Sequence, residues 1–193
     1  MSYIENLLAG AKVEWKHLGD ICEIKTGKGV TKRDSSESGA YPIISGGKGP
    51  MGFINKFNRS ENAVTISRVG ANAGYVNYIS KKFYLNDKCF SVIPIDLVKN
   101  EINSKYLYYL LKSTEQNIIA LQSEGGVPTI NTGKVSNLQI PIPPLDVQNK
   151  IVDILNSFEE LNALLTAELT SRKKQYEYYR DLLLKFPQNN LET

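Results

Sequence analysis

Lys28, Lys32 and Arg33, then Lys48, then Arg68 with Asn72, then Lys81 and Lys82 stand beside glycine, serine or asparagine rather than along a helical face. Small neighbours let a backbone come close to a phosphate, and Lys or Arg neutralises its charge. Arg and Asn are also the side chains that read guanine and adenine edges through paired hydrogen bonds. These eight residues are the candidate DNA contacts. Taken singly, each also reads as a solvated surface charge. The glycines of RVGANAG, Arg68–Gly74, read first as a tight turn between strands.

Other chemistry is hard to find. The only histidine, His17, lies in WKHLGD and reads as a surface or packing residue before it reads as a catalytic base. GKGPMG, Gly47–Gly52, matches G-x-G-x-x-G, but Pro50 lies inside it. The following FINKFN has strand character, so no helix N-terminus is expected to hold a pyrophosphate there. No Walker-type G-x-x-x-x-G-K-[ST] occurs, and no Asp/Glu cluster has metal-ligand spacing. The acidic-Pro-Pro-aromatic tetrapeptide of an amino-methyltransferase is also missing; PIPP lacks its polar residue. The expectation is a binding protein with no catalytic residues, no metal and no cofactor of its own.

Cys22 and Cys89 are far apart and form no CxxC, so neither zinc nor a disulfide framework is indicated. MSYIENLLAGAK lacks the features of a secretory signal, and no apolar run approaches membrane-spanning length. The expected setting is cytoplasmic, with no membrane partner, so the glycosylation match at Asn58–Ser60 carries no meaning. Residues 1–144 hold 17 Lys and Arg against 12 Asp and Glu, and residues 145–193 hold 6 against 8. A mildly basic first part and a mildly acidic second part fit nucleic-acid binding by the first.

The elements that must position the basic residues are legible in outline. SYIENLLA has a capping-box pattern, Ser2 with Glu5, that predicts a short helix from Tyr3. A turn is expected at Leu18–Asp20, with a short helix or strand beside it. From Gly27 to about Pro94, short β-rich runs alternate with Gly, Asn and Ser clusters, which predicts a sheet of short strands. NSKYLYYLLKSTEQNIIALQ reads as a helix capped by Ser104. SEGGVPTINTGKVSNLQIPIPP reads as loop, then a short helical turn capped by Asn131, then a Pro-limited edge strand.

The last segment has the clearest pattern. Ile151, Leu155, Phe158, Asn162, Leu165, Leu169, Arg172, Tyr176, Tyr179, Leu183 and Phe186 are spaced alternately four and three apart. That is a heptad seam, with Asn162 and Arg172 as polar interruptions and Leu161, Leu164 and Leu182 flanking it. Asp146 is the expected N-cap or first-turn anion, and Pro187 the stop. A helix from Asp146 to Phe186 spans about 60 Å, against a radius of gyration of about 14 Å for a domain of the preceding size. Part of it is therefore expected to project. A partner helix, in the same chain or another, is the expected cover for the seam, and folding back on its own domain is the alternative. The three prolines of IPIPP deny donors and fix φ, which predicts a rigid exit into this helix.

WKHLGD, YPIISGG, VTISRVGANAG and GGVPTINTGKVSNLQIPIPPLDVQNKI, followed by the long helix, resemble one half of the specificity subunit of type I restriction–modification systems. The resemblance covers about residues 13–186, and its most specific piece is Pro143-Pro144-Leu145-Asp146-Val147-Gln148. It implies an α+β fold: a globular mixed-sheet target recognition domain at 1–144, a single long projecting helix at 145–187 that pairs as an antiparallel coiled coil, and a tail at 188–193. It implies sequence-specific recognition of double-stranded DNA. Modification subunits would methylate adenine with S-adenosylmethionine, and a restriction subunit would cleave using ATP. Usual family members carry two halves in tandem. A single half reads as a natural half-length subunit, a remnant of a shuffled gene or a fragment; the simplest partner for its helix is a second copy of the chain, paired through Ile151–Phe186 and reading a bipartite symmetric target, and the heptads alone do not fix the direction of pairing. The rival reading is a coiled-coil adaptor with a protein-binding head; a methyltransferase or nuclease in its own right lacks motifs.

Overall fold

A computed structural model describes residues 10–123 and 125–186. The expected helix from Tyr3, the stop at Pro187 and the tail at 188–193 lie outside the described residues. Two compact units are distinguished, Met1–Val152 and Asp153–Thr193.

The first unit is built on β5 (Ala63–Ser67), a five-residue strand buried at every position. It pairs antiparallel with β6 (Val76–Ile79) and with β8 (Cys89–Pro94), and β8 pairs with β2 (Cys22–Thr26), giving the order β2-β8-β5-β6. Alternation along β5 explains its double burial. Val64 and Ile66, opposite Val92 and Phe90, join the large core with Leu18, Leu107, Leu111, Ile118, Ile130 and Val135. Ala63 belongs to a smaller cluster with Ile44, Phe83, Leu85 and Cys89. Large β-branched and aromatic residues thus meet the helices, and small ones meet a second sheet.

That second sheet has the order β4-β3-β7. β3 (Tyr41–Ile44) pairs antiparallel with β4 (Phe53–Ile54) and parallel with β7 (Tyr84–Leu85). A third pair joins β1 (Glu14–His17) to β9 (Gln139–Ile142), so the Pro-limited strand finds its partner near the other end of the unit. The strands expected in one sheet between Gly27 and Pro94 therefore fall into two, and the β1–β9 pair is separate, in an α+β arrangement. The segment after GKGPMG is strand β4.

Among the described residues, four short helices complete the unit. α1 (Leu18–Ile21) buries Leu18 and Ile21. α2 (Ser104–Ser113) is capped by Asn103, not Ser104; the Asn103 side chain accepts from the amides of Lys105 and Tyr106 at 2.8 and 3.2 Å. The expected single helix breaks at Thr114, whose hydroxyl bonds back to the Leu110 and Leu111 carbonyls, and resumes as α3 (Glu115–Ile119). α4 (Thr132–Ser136) starts at Asn131, which accepts from the Gly133 amide as expected of its cap.

α5 (Leu145–Leu183) starts one residue earlier and ends three residues earlier than the heptads suggest, so Phe186 lies past its last turn. The Pro144 carbonyl, not the Asp146 side chain, receives the first helical amides, from Val147 and Gln148. Asp146 sits in the first turn, 3.7 Å from Lys150. Gln148 is fully buried. Its Oε1 accepts from the Asn103 amide, and its Nε2 donates to the Glu101 and Pro143 carbonyls, each at 2.9 Å. The Tyr106 hydroxyl donates to the Pro141 carbonyl at 2.9 Å, so IPIPP is held at two carbonyls.

The second unit is helical, and every described residue from 157 to 186 is exposed. The exposed set includes Phe158, Leu165, Leu169, Tyr176, Tyr179 and Leu183 of the seam, with Leu161, Leu164 and Leu182 beside it. Ile151 and Leu155, the first two seam positions, are half-buried.

Gln148→Leu removes the hydrogen-bond partner of the Asn103 amide and of the Glu101 and Pro143 carbonyls. It is expected to lower unfolding free energy by about 2–5 kcal/mol, read from the urea midpoint of the full chain. An unchanged midpoint would mean the three bonds contribute nothing net.

Burial pushes the Cys22 thiol up to about 12 and the Cys89 thiol up to about 11. Unfolding returns both to about 8.5. In that interval the folded state keeps protons that the unfolded chain loses, so stability falls as pH rises. The urea midpoint should decline above about pH 9. Replacing both cysteines by alanine should flatten that decline.

Candidate nucleic-acid interface

The connections that leave the central sheet are tied to one another through main-chain groups. After β2, the Lys28 amide donates to the Leu85 carbonyl at 3.0 Å. Asn86 donates through Nδ2 to the Val30 carbonyl and accepts at Oδ1 from the Lys88 amide. After β5, the Arg68 amide donates to the Lys88 carbonyl at 2.8 Å, and Arg68 Nη1 donates to the Asp87 carbonyl at 3.1 Å. Asn72 Nδ2 donates to the Gly46 carbonyl at 3.0 Å. The Arg68 carbonyl accepts from Ile130, and the Gly70 amide donates to Pro128.

Glycine is required where these paths touch. A Cβ on Gly27 would overlap the Leu85 carbonyl. Gly74, at φ +95°, would press a Cβ to 2.6 Å from Ile119 Cγ1. The structural reading of the RVGANAG glycines thus fits the packing.

Not all eight nominated residues fall in one place. Lys28, Arg68 and Asn72 belong to the interlocked connections described above. Lys48 lies on the turn between β3 and β4, with its Nζ 5.9 Å from the Tyr75 ring centre. Lys32 lines a cleft with Pro50–Phe53 of that turn, and Lys81 lines another with Gly47, Gly49 and Pro50. Lys32 and Arg33 share a 3₁₀ turn, Lys32–Asp34. There Thr31 donates its amide and hydroxyl to Asp34 and draws that carboxyl below its ordinary range. Lys81 and Lys82 follow β6 at the end opposite Asn72, because Ile79 pairs with Ala63 at the start of β5. Lys82 Nζ lies 4.9 Å from the Phe57 ring centre.

Charge pairing separates these residues from five other lysines of the head. Lys12, Lys16, Lys25, Lys99 and Lys112 each stand in an ion pair. Among the described residues, no ion pair involves Lys28, Lys32, Arg33, Lys48, Arg68, Lys81 or Lys82. These charges are set out on turns without a neutralising carboxylate, the condition for attracting a polyanion.

Two further cations stand beside these residues. Lys88 is part of the connection that Arg68 and Asn86 hold. Lys134 lines a cleft together with Arg68, Thr26, Ser123, Thr129 and Thr132. Lys134 follows Gly133, so the rule that selected the other basic residues applies to it equally. Among the described residues, no group of three or more His, Cys, Asp or Glu is placed to hold a metal ion.

Residues 11–171 match the type I restriction modification DNA specificity domain. The chain is 32% identical to the specificity subunit of the Escherichia coli type I restriction enzyme EcoR124I/EcoR124II, over 100% of this chain and 49% of the relative. It is 32% identical to the type I restriction enzyme MpnII specificity subunit of Mycoplasma pneumoniae, over 90% of this chain and 54% of the relative. The crystal structure of the type I restriction-modification S subunit from M. genitalium superposes with a TM-score of 0.73 at 26% identity, over 90% of this chain and 46% of that one. The chain spans about half the length of the curated relatives it matches. With a domain match covering most of its length, the chain belongs to the type I restriction–modification DNA specificity family.

Proposed function

We propose that this chain is the DNA-reading part of a type I restriction–modification complex and works as a pair of identical copies. Each head reads one half of a bipartite target in double-stranded DNA through its turns. Modification subunits methylate adenine with S-adenosylmethionine at the site so chosen, and a restriction subunit cleaves using ATP. The chain itself positions and carries no catalytic group.

The observation that carries the pairing is the exposed seam of α5. Phe158, Leu165, Leu169, Tyr176, Tyr179 and Leu183 repeat at heptad spacing and are all more than half or about half exposed. Such a stripe is covered by another helix bearing the same stripe. A two-fold axis uses one surface twice, and the antiparallel arrangement places the two heads at opposite ends, as a split target requires. The helix then sets the distance between the half-sites, and the Gln148 joint conveys that distance to the head.

Sedimentation of the full chain at micromolar concentration is expected to give a dimer mass; a monomer overturns the pairing. Leu165→Glu with Leu169→Glu should shift the mass to monomer. Each lost apolar contact occurs twice in the pair and costs about 3–6 kcal/mol, roughly a hundred-fold or more in Kd.

Adenine methylation mapped in a host carrying this gene and its neighbours should show one interrupted, symmetric motif that vanishes when the gene is deleted. An unchanged map would refute the specificity role. Inserting four residues near Thr166 lengthens the helix by about 6 Å and should alter the spacer while leaving each half-site sequence unchanged. Survival of the original spacer would refute the ruler.

A further inference from the structure

The cleft between Arg68 and Lys134 has a volume of about 420 Å³ and a lining rich in hydrogen-bonding side chains: Thr26, Ser123, Thr129, Asn131 and Thr132 accompany the two cations. We propose that it is a phosphate seat: it grips the DNA backbone, contributes affinity independent of base sequence, and fixes the register in which the other turns meet base edges. The inference rests on the DNA-reading function proposed above and adds to it a site and a ligand group.

The two cations stand on separate segments whose relative position is set by main-chain bonds. Ile130, fully buried, donates its amide to the Arg68 carbonyl at 2.9 Å. Val69 and Thr129 form an isolated bridge, Gly70 donates to Pro128 at 2.9 Å, and Ser123 donates to Thr129 at 2.8 Å. The segments that carry Arg68 and Lys134 are therefore tied together by the backbone, and both side chains line the cleft. Such a cleft is preorganised, so little conformational freedom is lost when an anion enters.

The charges are also held in readiness. Arg68 Nη1 donates to the Asp87 carbonyl, and Lys134 Nζ donates to the Leu121 carbonyl at 3.1 Å. Both partners are neutral, so each bond orients its cation and leaves the charge uncompensated. Among the described residues neither cation has an ion pair, and the cleft lining contains no Asp or Glu. Two cations with hydroxyls around them suit the non-bridging oxygens of a phosphodiester, which take charge-assisted hydrogen bonds from several directions. A base edge would instead call for one planar bidentate donor set.

A phosphate contact is sequence-independent, so a duplex of arbitrary sequence serves as the probe and the target need not be known. Binding of full-length wild type, Lys134→Gln, Lys134→Arg and Arg68→Gln to such a duplex is measured across a KCl series, together with each melting temperature. The expected result is a salt slope, log affinity against log KCl, shallower by about one for each neutral variant. Affinity at low salt should fall about three- to ten-fold, and Lys134→Arg should stay close to wild type. Removing a structural hydrogen bond alone would lower the melting temperature and leave the slope as it was. Wild-type slope and affinity in Lys134→Gln would overturn the seat while leaving DNA reading intact. No binding of duplex by wild type, even with its modification subunits present, would overturn the DNA-reading function and the seat together.

Discussion

The buried amide of Gln148 joins three stretches of chain that are remote in sequence. It accepts from Asn103 and donates to Glu101 and Pro143, and it has no exposed surface. A buried primary amide is tolerable only when its donors and acceptor are satisfied. The first turn of α5, the end of IPIPP and the entry to α2 must therefore be in place together. Asn103 extends the link, since its Oδ1 caps α2 while its Nδ2 donates to Asn149 at 2.8 Å. The prolines remove competing donors and stiffen the approach, and Gln148 supplies the direction.

The head follows a related economy. Its central strand is buried on both faces, so the chain must leave the sheet through connections at the strand ends, and those connections are fastened to one another by backbone bonds. Asn58 shows the pattern: its side chain exchanges two hydrogen bonds with the Leu85 main chain, as a neighbouring strand would. Side chains that do not take part in this fastening are left to face outward, and many of them are unpaired Lys and Arg. A rigid set of turns carrying uncompensated charge is what a duplex reader needs, because affinity comes from phosphate and register from position.

Much of this architecture is legible in the amino-acid sequence. The heptads revealed α5 because a repeat sustained through so many turns has few other meanings. The Asn131 cap and the strand at 139–142 followed from local chemistry. The division into three sheets did not, because the pairing of β3 with β7 and of β1 with β9 joins residues far apart in sequence, where alternation is silent about partners. Asn103 and Ser104 are both good caps, and a one-residue difference in backbone path decides between them. The break at Thr114 depends on where a hydroxyl points. Small neighbours mark the basic residues of the turns, and Lys134 beside Gly133 carries the same mark. The bond that Asn72 donates to the Gly46 carbonyl joins two turns far apart in sequence, and residue type alone is silent about it.

All three partners of Gln148 are main-chain atoms. The socket therefore recognises a backbone path and is indifferent to the side chains along it. Any head whose chain follows the same course past positions 101, 103 and 143 would seat the same helix equally well. Recombination between related genes could then exchange one reading head for another without redesigning the joint, and a new target would arise from a single crossover.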